Sequence, residues 1–216
     1  MNSYPKKSAF TLIELLVVIS IILIASSIIF IGGGGGDGAN LSSSQRIISG
    51  IAQGARGQAI LKNATTRLII YSDLASNEDE EKKLRYFGIV YEDNANPGQW
   101  FAATQGTYLP EGIYFNEGLS KGYPTSSIMK INYPRQSAQS GGSGEEYYYY
   151  EFNSNGTMAT DYDNTWLAIQ AGTLKPNSGG VLGIDFTEIE NEGLKAALIF
   201  RRVGTTTLVS DPAEIE

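Results

Sequence analysis

KKSAFTLIELLVVISIILIASSIIFI, residues 6–31, decides how this chain is read, because it sets one carboxylate, Glu14, near the start of an apolar run. From Phe10 to Ile31 the run is 22 residues long, and apart from Glu14 its only polar side chains are the hydroxyls of Thr11, Ser20, Ser26 and Ser27. At about 1.5 Å of rise per residue, a helix of this length covers the roughly 30 Å hydrocarbon core of a bilayer. Lys6 and Lys7 precede it, which predicts a cytoplasmic N-terminus and a domain beyond the glycines on the other side. A cleaved secretory signal has a shorter apolar region and no use for an acid within it. An unpaired acid at the centre of a membrane helix costs about 2.5 kcal/mol or more. No cation follows Glu14 within the helix, so its partner must be another chain or a newly made N-terminus.

These residues resemble the N-terminus of type IV prepilins and of the pseudopilins of type II secretion. In that family a short basic leader ends in a small residue, a prepilin peptidase cuts before a phenylalanine, and the new amine is methylated. The resemblance implies a leader of residues 1–9, cleavage between Ala9 and Phe10, and N-methylation of Phe10. It also makes Glu14 the fifth mature residue and the assembly contact that neutralises a neighbouring subunit's N-terminal amine. Ala9 departs from the usual glycine. An amine and a carboxylate brought together in lipid relieve each other's desolvation only when two helices are correctly staggered, so charge would enforce register. The implied partners are other pilin or pseudopilin subunits, the prepilin peptidase and an inner-membrane assembly platform. The implied location is a single-pass inner-membrane protein with a periplasmic domain, entering a filament after assembly.

Composition restricts what the rest can do. The formal charge is −7, and loss of Lys6 and Lys7 with the leader leaves 14 basic against 23 acidic side chains, a charge of −9. Such a chain repels nucleic acid and anionic lipid. There is no Cys and no His, which removes disulfides, thiol chemistry, the usual general base and the commonest metal ligand. Ser/His/Asp and Cys/His catalysis are excluded, and the chain is read as a non-enzyme without cofactor or metal. Asp161, Asp163 and Asn164 supply too few oxygens for calcium and are read as an Asx-type turn.

Five glycines, Gly32–Gly36, predict a joint over residues 32–40. A second helix is expected over 41–63, capped somewhere in Asn40–Ser44, with Ile48, Ile51, Ala52, Ala55 and Ala59 as its apolar stripe. Gly50, Gly54 and Gly57 are expected to let its backbone approach a sheet closely. The period then turns to strands at residues 66–72, 84–92, 99–104, 127–133, 146–152, 165–170, 181–186, 197–203 and 206–210. Ser76–Lys83 reads as a solvated turn and Gln136–Glu146 as a mobile loop. The fold class is α+β, a long N-terminal helix laid on an antiparallel sheet domain over 41–216.

ISGIAQGARGQAILKNATTRLIIY, YEFNSNGTMATDYDNTWLAI around Phe152 and Gly156, and ALIFRRVGTTTLV with Gly204 at its turn resemble the H-type minor pseudopilins and their FimT-like relatives. Residues 94–144 have no counterpart in that pattern. Tyr147–Tyr150 alternate across a strand, so at most two rings share a face. Asn63-Ala64-Thr65 and Asn155-Gly156-Thr157 match a glycosylation tripeptide but serve turns equally well. Arg201 and Arg202 are the nearest approach to a basic patch. Some FimT-like relatives bind DNA through such residues, yet two arginines on an acidic chain offer a phosphate backbone little. The alternatives to a filament subunit are therefore a DNA-uptake minor pilin and a membrane-anchored ligand-binding domain.

Overall fold

The computed structural model describes residues 12–13, 15–19, 36–73, 79–121, 128–134, 138–139, 144–176, 182–185 and 194–210. It divides into Met1–Gly36 and Asp37–Glu216. In the first unit, Leu12, Ile13 and Leu15–Ile19 are helical. Most of the expected span from Phe10 to Ile31 lies outside the described residues. Among the described residues no helix is long and apolar enough to cross a membrane.

The second unit opens with helix α1, Asp37–Lys62. It begins four residues before the expected start at Leu41, so the last part of the predicted 32–40 joint is helical. The serines expected to cap it instead lie inside it, where the hydroxyls of Ser43 and Ser44 donate to the Asn40 carbonyl at 2.9 and 2.7 Å. The C-terminus ends in a Schellman arrangement: Asn63 N–H donates to Ile60 O at 3.3 Å and Ala64 N–H to Ala59 O at 3.1 Å. Asn63 takes the left-handed conformation this requires, with φ 48°.

Strands β1 (Thr66–Tyr71), β2 (Tyr86–Glu92), β3 (Gln99–Ala102), β6 (Ile128–Ile131), β7 (Ala138–Gln139) and β8 (Glu145–Phe152) form an antiparallel sheet in the order β6-β8-β1-β2-β3-β7, with β4 (Thr107–Tyr108) also on β2. A second antiparallel sheet runs β13 (Thr206–Val209), β12 (Lys195–Phe200), β9 (Trp166–Ala171), β5 (Ile113–Lys121). β10 (Thr173–Pro176) and β11 (Leu182–Asp185) make a separate hairpin.

Helix α1 lies over both sheets. Ile48, Ala52, Ala55 and Ala59 are fully buried against Leu68 and Ile70 of β1, Phe152 of β8, and Leu198 and Phe200 of β12, so the helical stripe in the sequence is the seam of the core. Fully burying a side chain such as Ile48 is worth about 1.5–3 kcal/mol. The large sheet is covered on its other face too. Ile69, Tyr71, Val90, Trp100, Met129 and Tyr147 form a second cluster there, which is why β1 is an almost continuous apolar run rather than an alternating one. Tyr133 enters this cluster only because position 88 is glycine: a Cβ on Gly88 would lie 1.9 Å from the Tyr133 hydroxyl oxygen. That hydroxyl instead donates to the Thr104 carbonyl at 2.8 Å.

Candidate assembly site

The described residues of the first unit are all apolar and all exposed, from 80% at Leu12 to 49% at Ile19. Leu15–Ile19 exceed one helical turn. Ala9, Phe10 and Glu14, the residues expected to carry processing and assembly, lie outside the described residues.

The outer surface of α1 corrects one expectation. Gly50 and Gly57 face away from the sheets, while Gly54 lies beside β2. A Cβ on Gly50 or Gly57 would meet nothing within 4 Å, and one on Gly54 would make only an ordinary 3.4 Å contact with Ile89. Alanines, not glycines, bring the helix onto the sheets, because the buried stripe is Ala52, Ala55 and Ala59. Polar side chains tie the helix to the edge of the second sheet. Gln45 Nε2 donates to the carbonyls of Ala197 at 3.1 Å and Val209 at 2.8 Å, and the hydroxyls of Ser49 and Thr206 are 2.7 Å apart. The otherwise open edge strand β13 is thereby partly occupied by its own helix.

At the C-terminal end of α1, Arg56 Nε donates to Gly156 O at 3.2 Å. The β12–β13 turn presses on the same carbonyl, since a Cβ on Gly204 would lie 2.0 Å from it. Asn153, Asn155, Thr157, Thr160, Asp163 and Arg202 line an adjoining polar cleft of about 370 Å³. Asp161 and Tyr162 belong to a 3-10 turn, Thr160–Tyr162. It is closed by backbone bonds from Tyr162 N–H to Ala159 O and from Asp163 N–H to Thr160 O, rather than by the Asx chemistry expected. The Asx turn is at Asn155, whose Oδ1 accepts from Thr157 N–H at 3.0 Å.

The opposite end of the large sheet is acidic. Asp79, Glu80 and Glu81 are exposed around the 3-10 turn Glu80–Lys82. The segment expected to be wholly solvated is anchored by its lysines: Lys83 is buried, and Lys82 bridges Asp79 at 2.7 Å and Glu145 at 2.8 Å. Burial opposes the charge on Lys82, but its bonds to Asp79 and Glu145 outweigh that cost and hold its pKa above the ordinary lysine value. Glu145 also accepts from the Tyr147 hydroxyl at 2.8 Å. Only Tyr147 and Tyr150 of the tyrosine run are fully buried, on opposite faces of β8. The loop expected over Gln136–Glu146 contains β7, paired with β3 at Gln99 and Trp100.

Residues 4–30 match the family described as the prokaryotic N-terminal methylation motif. The chain carries the prepilin N-terminal motif. It encloses Ala9, Phe10 and Glu14 and the exposed helical residues 12–13 and 15–19. Among curated proteins no sequence match is found. Among solved structures the chain is similar to two of the minor pseudopilin EpsH from the type II secretion system of Vibrio cholerae. One has 14% identity and a TM-score of 0.38, covering 80% of this chain and 94% of that one. The other has 13% identity and a TM-score of 0.37, covering 80% and 92%.

Proposed function

We propose that this chain is a structural subunit of a type II secretion pseudopilus or a type IV pilus-like filament, resembling the minor pseudopilins and without enzymatic activity. The observation that carries the reading is the methylation motif over residues 4–30. The exposure of the apolar helical residues Leu12, Ile13 and Leu15–Ile19 supports it. In this reading a prepilin peptidase removes residues 1–9, Phe10 becomes the methylated N-terminus, and residues 10–31 anchor the subunit in the inner membrane with Asp37–Glu216 in the periplasm. An assembly platform then moves the helix from lipid into the filament. Glu14 pairs there with the amine of a neighbouring Phe10, each charge relieving the other's desolvation.

Coexpression with a prepilin peptidase tests the processing. The expected product begins at Phe10 and carries one methyl group on its amine, read by mass spectrometry of the N-terminal peptide. An intact leader, or cleavage downstream of Ile31, overturns the reading. Glu14→Leu is expected to leave membrane insertion intact, since it removes a costly acid, and to reduce incorporation into filaments at least tenfold. Unchanged incorporation would show that the charge pair is dispensable.

A further inference from the structure

Two patches of opposite character sit at opposite ends of β8. At the end marked by Phe152, the corner where Arg56, Gly156 and Gly204 meet exposes three apolar side chains: Ile60 at 51%, Leu61 at 76% and Val203 at 57%. Arg201 and Arg202, both exposed, directly precede Val203. Neither arginine, nor Arg56, makes an ion pair with a described residue; the ion pairs there use Arg67, Lys82, Lys130 and Lys175. Asp163 shares the polar cleft with Arg202 without pairing to it. At the other end, marked by Glu145, the turn carrying Glu80 and Glu81 borders a cleft of about 440 Å³ whose walls include Arg85, Tyr114, Leu174 and Leu182; Arg85 Nη2 donates to the Leu109 carbonyl at 2.9 Å. The domain therefore has an apolar corner rimmed by arginine at one end and a cleft of mixed polar and apolar lining edged by glutamate at the other. At about 3.3 Å per residue, the eight residues of β8 separate them by roughly 23 Å.

We infer that the Ile60–Val203 corner of one copy of this chain docks into the Glu80–Glu81 cleft of a second copy, with Arg201 and Arg202 facing the two glutamates. The inference rests on the filament reading above and names a contact within it. Both patches combine apolar surface with charge, and arginine is enriched at interfaces. Two copies with a net charge of −9 each after loss of Lys6 and Lys7 (14 basic against 23 acidic side chains) repel in most orientations. The orientation that sets the arginines on the acidic turn replaces repulsion with attraction, which is how charge selects register. Because the corner and the cleft are different surfaces, the contact is heterologous. Repeated without ring closure, it extends into an open helical array.

The absence of cysteine makes the test direct. Val203→Cys in the full chain carries a thiol-linked photo-crosslinker, and products are mapped by mass spectrometry both in membranes and in isolated filaments. The expected product joins residue 203 to a peptide containing Glu80 and Glu81 of another copy. Arg201→Glu with Arg202→Glu is expected to lower its yield about tenfold at low salt, and adding Glu80→Arg with Glu81→Arg to restore it. A missing copy-to-copy product in both preparations, a product elsewhere or on another protein, or a yield indifferent to charge reversal each overturns the contact. So does tight DNA retention lost in the Arg201/Arg202 variant with crosslinking unchanged, which would assign the arginines to nucleic acid. If crosslinked copies occur in membranes but no filaments form, the contact stands and the filament reading fails.

Discussion

Arg67 shows how much one side chain can hold in this fold. Its guanidinium lies 4.0 Å from the Trp100 ring centroid and 3.8 Å from that of Tyr149, while Nη2 pairs with Glu151 at 2.7 Å. A planar group satisfies two rings and a carboxylate together, whereas a lysine ammonium cannot stack in this way. The glycines divide as sharply. Gly204 has φ 79°, and a Cβ there would strike Gly156 O at 2.0 Å. Gly204→Ala is expected to destabilise the domain by about 2 kcal/mol or more, from left-handed strain and overpacking. Gly50 and Gly57 are helical with open space around them, so replacing either by alanine is expected to stabilise by about 0.5–1 kcal/mol. Thermal melts of the three variants check both signs. A Gly204→Ala protein as stable as the parent would refute the close packing of the two turns.

Among the elements, those carried by strong periodicity were legible and those carried by specific polar bonds were not. The buried stripe of α1 and the apolar strands β1, β2, β8, β9 and β12 stand close to where their patterns put them. β5, IYFNEGLSK, was missed because it neither alternates nor runs apolar. Its polar residues do the work of a strand instead. Ser120 Oγ accepts the Ala168 N–H at 2.9 Å across an irregularity between Asn116 and Lys121, and the Leu119 carbonyl accepts from Trp166 Nε1 at 2.8 Å. No local pattern announces such bonds, since their partners lie about 50 residues away. The candidate site was likewise half legible. The methylation motif is contiguous, but the arginine corner and glutamate cleft exist only once the strands are arranged. The tyrosines of the large sheet have a consequence in alkali. Burial, then neighbouring tyrosines, pushes Tyr86 up to about 12; burial, then Glu117, pushes Tyr148 up to about 12. Burial also raises Tyr147 and Tyr150 above the ordinary value. Below pH about 10 these phenols are protonated in both states. Above it the unfolded chain binds fewer protons than the folded one, so stability falls as pH rises towards 12. Tyrosinate absorbance is expected to rise in two stages, exposed rings near pH 10 and the remainder together with loss of the sheet's circular dichroism. A single stage near pH 10 with the sheet intact would contradict the buried network.

For the whole molecule, the question is whether the N-terminal segment and the sheet domain are one folding unit or two. Both hydrophobic clusters begin no earlier than Leu41 among the described residues. The bonds that fasten α1 to the sheets start at Gln45 and run through Ser49 to Arg56. The sheet domain is also large enough to bury a core of its own. A chain beginning at Gly36 is therefore expected to fold alone, and its melting temperature should stay within about 3 °C of that of the full chain in detergent, a difference below about 1 kcal/mol for a domain of this size. Without residues 10–31 it should remain in solution instead of entering membranes, because its surface is acidic and its apolar exposure is confined to small patches. A truncated chain that fails to unfold cooperatively, or that melts far below the parent, would mean that the N-terminal segment supplies part of the domain's stability. On the filament reading proposed above, assembly would then have to reshape the domain as well.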